Sequence, residues 1–229
     1  MNFSFLETYV QYFISGAAVT IIISLVTVFF GTMLGVLIAL LKLSKAAPLR
    51  WLANIYIEIF RGTPMLIQVL IGFGLLQNLF PSFNMPIGIL TIDFGRLVPG
   101  MIVLSLNSGA YVAEIVRGGI NAVNYGQTEA AHSLGLRPIQ TMRYVILPQA
   151  LRNILPALGN EFIILIKDSS LLSIIGINEL LSSAQTVISS TYIPLEPYYI
   201  AAAIYFVMTF LTSRALAAFE KKLGKGYHR

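Results

Sequence analysis

The run ISGAAVTIIISLVTVFFGTMLGVLIALL, Ile14–Leu41, is 28 residues long and contains no charged side chain. About 20 such residues suffice to cross the hydrocarbon core of a bilayer, and a helix is the form in which one segment satisfies its own backbone groups in lipid. The run therefore predicts a membrane-spanning helix. A secretory signal core is shorter, about 7–15 residues, and follows basic residues. Here the preceding segment holds Glu7 and no Lys or Arg, so the helix is read as retained. Gly31 and Gly35 form a small-xxx-small pattern, which admits close approach of another helix but also arises by chance.

The rest of the 229-residue chain agrees with a membrane protein. It is 56% hydrophobic and 11% charged, with a mean hydropathy of +0.78, far from the roughly one-quarter charged residues of soluble domains. There is no cysteine, which removes disulfides, thiolate nucleophiles and thiolate metal sites. Four further apolar segments predict five spans in all, at about 14–41, 62–80, 97–120, 150–177 and 198–219. No repeat, low-complexity tract or linker divides them, so the expectation is an all-α integral membrane protein forming one transmembrane domain over residues 1–229.

The +5 net charge gives the orientation through its distribution. Lys42, Lys45 and Arg50 follow the first span; Arg117, Arg137, Arg143 and Arg152 flank or lie in the middle polar segment; Lys221, Lys222, Lys225 and Arg229 follow the last span. An excess of basic residues in short loops marks the cytoplasmic side. The opposite loops hold Glu7, Asp93, Glu179 and Glu196 but only Arg96 as a base. Five spans then put the N-terminus outside and the C-terminus in the cytoplasm. The outer connections Pro81–Pro86 and Ser189–Pro197 read as loops, because proline stops helices and Ser and Asn favour turns.

One segment, 124–147, breaks the apolar pattern on the cytoplasmic side. Thr128 can cap a short helix, Glu129 lies in its first turn, and Gly135-Leu136 fit a left-handed C-terminal ending. Ala130, Ala131 and Leu134 share a stripe too narrow and too small to hold a helix in lipid. Pro138 suits the first turn of a second helix with an Ile139, Met142, Val145, Ile146 stripe, and Leu147-Pro148 is expected to redirect the chain into the next span. Two readings fit the result: a solvated loop that reconnects two spans, or a docking surface.

Glu129-Ala130-Ala131 with Gly135 and Ile146-Leu147-Pro148 resembles the EAA loop of membrane subunits of bacterial ABC importers. Glu58-Ile59-Phe60-Arg61-Gly62-Thr63-Pro64, Ala113-Glu114-Ile115-Val116-Arg117-Gly118-Gly119-Ile120 and Ile166-Lys167-Asp168-Ser169-Ser170-Leu171 are similar to the polar amino acid permeases of the histidine and glutamine group. These blocks cover most of Glu58 to Leu171 in the expected order. The resemblance implies a type I ABC importer transmembrane domain in the bacterial inner membrane. It further implies that Glu129, Ala130, Ala131, Leu134, Gly135 and Leu136 form a coupling helix seated in a separate ATP-binding cassette ATPase. An extracytoplasmic solute-binding protein and a second permease, identical or related, are implied as the other partners.

The missing motifs agree with a divided machine. No Gly-x-x-x-x-Gly-Lys-Ser/Thr loop occurs, so ATP and Mg are expected in the partner, with no cofactor in this chain and no enzymatic activity of its own. There is no Gly-x-Ser-x-Gly and no His-Glu-x-x-His; His132 and His228 read as surface residues. A helix-turn-helix for nucleic acid needs base-reading and phosphate-binding side chains, and Ala130 to Leu136 offers only His132 and Ser133. The serious alternative is an ion-coupled secondary transporter or channel subunit, which also uses intramembrane carboxylates.

Ionisable groups in spans usually face a partner or an aqueous cavity. Glu161 lies 13 residues beyond Pro148, roughly 20 Å along a helix, near mid-membrane. Many members of the resembled family carry a neutral residue after the shared Asn160. An acid here fits a cationic cargo side chain, arginine, lysine or histidine, and fits a structural Arg partner equally well. Lys167-Asp168 reads as a structural ion pair. Thr63 as N-cap, with Pro64 and Arg61, offers donors to an α-carboxylate; alternatively Glu58, Arg61 and Glu114 form a network that stabilises a cytoplasmic gate.

Overall fold

A charge-free run in lipid has no alternative to helix, and α1 extends the expected span in both directions, Leu6–Leu43. The computed structural model describes residues 3–224; Lys225, His228 and Arg229 lie outside the described residues, as does the side chain of Lys222. The buried positions of α1 are mostly small: Gly16, Thr20, Ser24, Thr27, Gly31, Gly35 and Ala39. Spacings of three and four place them on one stripe. That stripe packs chiefly on α4, Phe94–Asn121, in the most extensive helix–helix contact of the chain. A Cβ on Gly31 would lie 2.8 Å from Ser108 Oγ, and one on Gly35 would lie 2.8 Å from the Gly109 carbonyl. The Gly31-xxx-Gly35 pattern is thus used inside the chain.

Between these two helices the chain forms an elbow rather than one span. α2, Ala47–Gly62, and α3, Met65–Leu76, are bent by 111° at the intervening break. Two axes at that angle cannot both follow a membrane normal, so the span expected at 62–80 begins at a corner. Ala53 and Ile57 of α2 pack with Ile38 and Ala39 of α1 and Val112, Ala113 and Val116 of α4.

The outer connection after α3 is more than a loop. β1, Asn84–Ile87, and β2, Leu90–Asp93, form an antiparallel hairpin pairing Asn84 with Asp93 and Ile87 with Leu90. Its two-residue turn needs the left-handed backbone of Gly88 (φ 62°). Leu90 and Ile92 join the outer core cluster, and the Asp93 side chain caps α4 by accepting from Gly95 N at 2.9 Å. Four-residue strands with a proline at Pro86 leave too little alternation for a sequence reading to find.

On the cytoplasmic side come α5, Tyr125–Ser133, and α6, Pro138–Thr141. A π-turn at Met142–Ile146 then leads into α7, Leu147–Asp168. Pro148 does not redirect the chain as the sequence suggested. The widened turn, closed by Leu147 N donating to the Met142 carbonyl, relieves the clash a proline ring makes with the carbonyl four residues back. Helical structure therefore runs unbroken from Pro138 through the 3₁₀ segment Ser169–Ile175. It stops at left-handed Gly176, and α8, Leu180–Thr191, follows at a 48° bend. α9, Glu196–Gly224, closes the order, with Gly159 of α7 lying against its Leu216. α1, α4 and α9 are each long and apolar enough to cross a membrane alone; counting each bent pair as one crossing gives five.

Replacing Gly35 by Ala is expected to lower stability by about 1–3 kcal/mol, since backbone and Val112 leave no room. Gly74 of α3 has nothing within 4 Å of an added Cβ, so Gly74→Ala should be neutral or stabilising by up to about 1 kcal/mol. Thermal unfolding of the purified detergent-solubilised variants separates the two.

Candidate functional site

The cytoplasmic excursion is built by local backbone chemistry. Asn124, not Thr128, is the N-cap of α5: its side chain accepts from Gly126 N at 2.8 Å, while Thr128 falls inside the helix. The earlier cap starts the helix one turn sooner. At the other end Gly135 has φ 80°, Leu136 N donates to the Ala131 carbonyl at 3.1 Å and Gly135 N to the His132 carbonyl at 2.9 Å. This double bond pattern is a Schellman ending. Arg137 N then donates to Gln140 Oε1, opening α6 at Pro138.

The stripe assigned to docking divides in two. Ala131 is buried, whereas Glu129, Ala130 and Gly135 are exposed and Leu136 is half-buried. Leu134 is 82% exposed, and Tyr125, Ile139 and Tyr144 also stand clear of the body. Tyr125 and Leu134 lie outside the candidate spans, and Ile139 and Tyr144 lie near the start of the helical run that begins at Pro138.

The elbow between α2 and α3 depends on Pro64. A proline there deprives the Phe60 carbonyl, four residues back, of its helical donor. Two side chains replace it: Gln68 Nε2 donates to the Phe60 carbonyl at 2.8 Å, and Asn107 Nδ2 at 3.1 Å. Gln68 Nε2 also reaches the Thr63 carbonyl at 3.0 Å and Thr63 Oγ1 at 2.8 Å, and Asn107 Nδ2 donates to Gln68 Oε1 at 2.8 Å. Thr63 is not the N-cap of α3. Its hydroxyl donates back to the Ile59 carbonyl at 2.8 Å, and Pro64 occupies the cap position without a side-chain bond.

This elbow forms one wall of a cavity of about 220 Å³ lined by Thr63, Met65, Asn107, Tyr111, Glu161, Ile164 and Asp168. Glu161 is 5% exposed and has no ion pair among the described residues. Asn160, one residue away and so about 100° round the helix, is exposed and outside the cavity. Lys167 and Asp168 are not an ion pair. Adjacent helical residues point apart, leaving Lys167 exposed and Asp168 facing the cavity. Gln68, Asn107 and Tyr111 were missed from the sequence, although a Gln and an Asn within apolar spans are costly enough to signal a shared network.

Glu114 gathers the cytoplasmic bases. Lys42 Nζ lies 2.6 Å from its Oε1, Arg117 Nη2 lies 2.7 Å from Oε2, and Arg61 Nη1 lies 3.8 Å from Oε2. Arg61 also sits over the ring of Tyr111, a lining residue, 5.3 Å from its centroid, but is itself outside the lining. Glu58 does not join: it is exposed, with no ion pair among the described residues. Glu179, counted as an outer-loop charge, is instead fully buried. It accepts from Leu181 N, Ser182 N and the Tyr205 hydroxyl, joining α8 to α9.

The family of binding-protein-dependent transport system inner membrane components matches residues 31–225. A Rickettsia felis protein named as a glutamine transport system permease is 41% identical over 214 residues, 93% of this chain and 94% of that one. An arginine transport system permease protein of Bacillus subtilis is 38% identical over 226 residues, 97% of this chain and 98% of its own. Among solved structures, an amino acid ABC transporter crystallised with histidines superposes with a TM-score of 0.86 at 45% identity, over 97% of this chain and 100% of that chain.

Removing Glu114 leaves three cations facing one another. Glu114→Gln is expected to destabilise the protein by about 1–3 kcal/mol, more than Lys42→Gln or Arg117→Gln. Arg61→Gln, the longest and most exposed contact, should cost least. Melting temperatures of the four variants at low and high salt give the ranking.

Proposed function

Because the chain belongs to the binding-protein-dependent transport system inner membrane component family, as the permease of an amino acid ABC importer in the inner membrane, we propose that it carries basic amino acids past Glu161. One observation carries this reading. Glu161 is buried, lacks an ion pair and faces a cavity shared with the Asp168 carboxyl. A carboxylate held in a low-dielectric site without a counter-charge is costly, and a cationic side chain entering the cavity removes that cost. The arginine permease of Bacillus subtilis supports the assignment, while glutamine and cystine permeases at similar identity show that overall likeness does not select the cargo. The α-carboxylate is not assigned to Arg61, which is held at Glu114. Family membership removes the ground for a secondary transporter or channel.

Energy enters through the excursion. ATPase subunits that bind ATP and Mg seat on the surface of Leu134, Ile139 and Tyr144 beside Ala130, with Glu129 and Gly135 at its edge. The unbroken helical run from Pro138 through α7 delivers a displacement there to Glu161, 14 residues beyond Leu147 and about 21 Å along the axis. A second permease copy or a related chain completes the path, and an external solute-binding protein delivers cargo.

Two measurements test this. In proteoliposomes with the ATPase and binding protein, Glu161→Gln should reduce arginine uptake at least tenfold more than glutamine uptake, and equal losses would sink the cargo assignment. Leu134→Asp, on a side chain with little packing to lose, should abolish ATPase copurification without lowering the melting temperature. Undiminished copurification counts against docking at this surface.

A further inference from the structure

The elbow network fixes which atoms the cavity presents. A carbonyl oxygen only accepts, so the Gln68 atom facing the Phe60 and Thr63 carbonyls has to be the amide nitrogen. That leaves Gln68 Oε1 to accept from Asn107. The Asn107 atom serving both Gln68 Oε1 and the Phe60 carbonyl is in turn its nitrogen, with both hydrogens spent. Asn107 lines the cavity, and its Oδ1 accepts from none of the described residues and is not sealed from the space. The Thr63 hydroxyl donates its one hydrogen to the Ile59 carbonyl. Among the polar side chains of the lining, Thr63 and Asn107 therefore offer oxygen acceptors, as do Glu161 and Asp168 in their ionised forms, and the Tyr111 hydroxyl can also donate.

We propose that Gln68 is a positioning residue for cargo selection: by locking the Asn107 amide with its oxygen toward the cavity, it completes an acceptor wall with Glu161 and Asp168 that selects a donor-rich cationic side chain. Gln68 is absent from the lining but bonds two lining residues, Asn107 and Thr63, and it orients the amide of Asn107. A guanidinium, with five donors and no acceptor, matches the wall, whereas a carboxamide brings an acceptor of its own that the wall repels. Were the Asn107 amide free to turn, it would present donors and discriminate in the opposite sense. This inference rests on the reading of Glu161 as the cargo's counter-charge.

The test is direct binding of arginine and of glutamine to the purified permease–ATPase complex by titration calorimetry, read as the ratio of the two affinities. Asn107→Leu removes the acceptor, and Gln68→Leu removes the shorter of the two bonds that hold the amide, leaving only the 3.1 Å bond to the Phe60 carbonyl; each is expected to lower the arginine preference, by up to about tenfold, the size of one charge-assisted bond. Asn107→Asp keeps an oxygen toward the cavity however it turns, so it should retain the preference. The double variant Gln68→Leu/Asn107→Asp should recover what Gln68→Leu loses, which a merely structural role for Gln68 does not predict. An unchanged ratio in both leucine variants, or loss of arginine binding in Asn107→Asp with an unaltered melting temperature, overturns the proposal. Glu161→Gln is measured alongside. If it shifts the ratio and the leucine variants do not, this inference alone fails; if it leaves the ratio unchanged, the cargo assignment fails with it.

Discussion

The close seam between α1 and α4 is the contact on which the other elements depend. Apolar side chains gain little from leaving lipid, so helix association there relies on packing, and packing requires backbones to approach. Gly31 and Gly35 allow that approach, and Ser108 and Gly109 meet them from α4. With the two helices joined, α4 presents Asn107 to the elbow, Tyr111 to Arg61 and Glu114 to the cytoplasmic bases. A residue larger than glycine in the seam would separate α1 and α4 and with them every group that converges on α4.

Two prolines shape this frame in opposite ways. At Pro64 the lost donor is replaced by side chains, Gln68 and Asn107, so the corner is held open as a wall of the cavity. At Pro148 the ring is absorbed by a π-turn, so the helix continues. The same residue type makes a corner in one place and a lever in the other, and the difference lies in what satisfies the neighbouring carbonyls. The lever carries Glu161 at its far end and the exposed excursion at its near end.

Three carboxylates, half-buried Glu114 and buried Glu179 and Glu161, divide by how they are neutralised. Glu114 has three bases within reach, and Glu179 is satisfied by two backbone amides and a tyrosine hydroxyl. Both hold helices together. Glu161 has no such base, and it is the one of the three that faces an open cavity shared with a second carboxyl.

Chain order alone established the membrane class and the excursion with its turn at Gly135 and new helix at Pro138, and it predicted a sidedness and up to five crossings. Those follow from lengths of apolar runs, the placement of Lys and Arg, and local backbone preferences, all of which act over short stretches of chain. The place of Glu161 inside an apolar run was legible for the same reason. Which side of each helix turns inward was not. In a soluble protein the apolar stripe reveals the buried face, but in lipid both faces are apolar, and the buried face of α1 is marked by small residues rather than greasy ones. Only the folded structure could therefore put Glu179 in the interior, turn Asn160 away, hold Arg61 at Glu114 instead of the cavity, and set the 111° corner at which Gln68 meets Asn107. These outcomes rest on contacts between residues tens of positions apart, and neither periodicity nor spacing encodes such contacts.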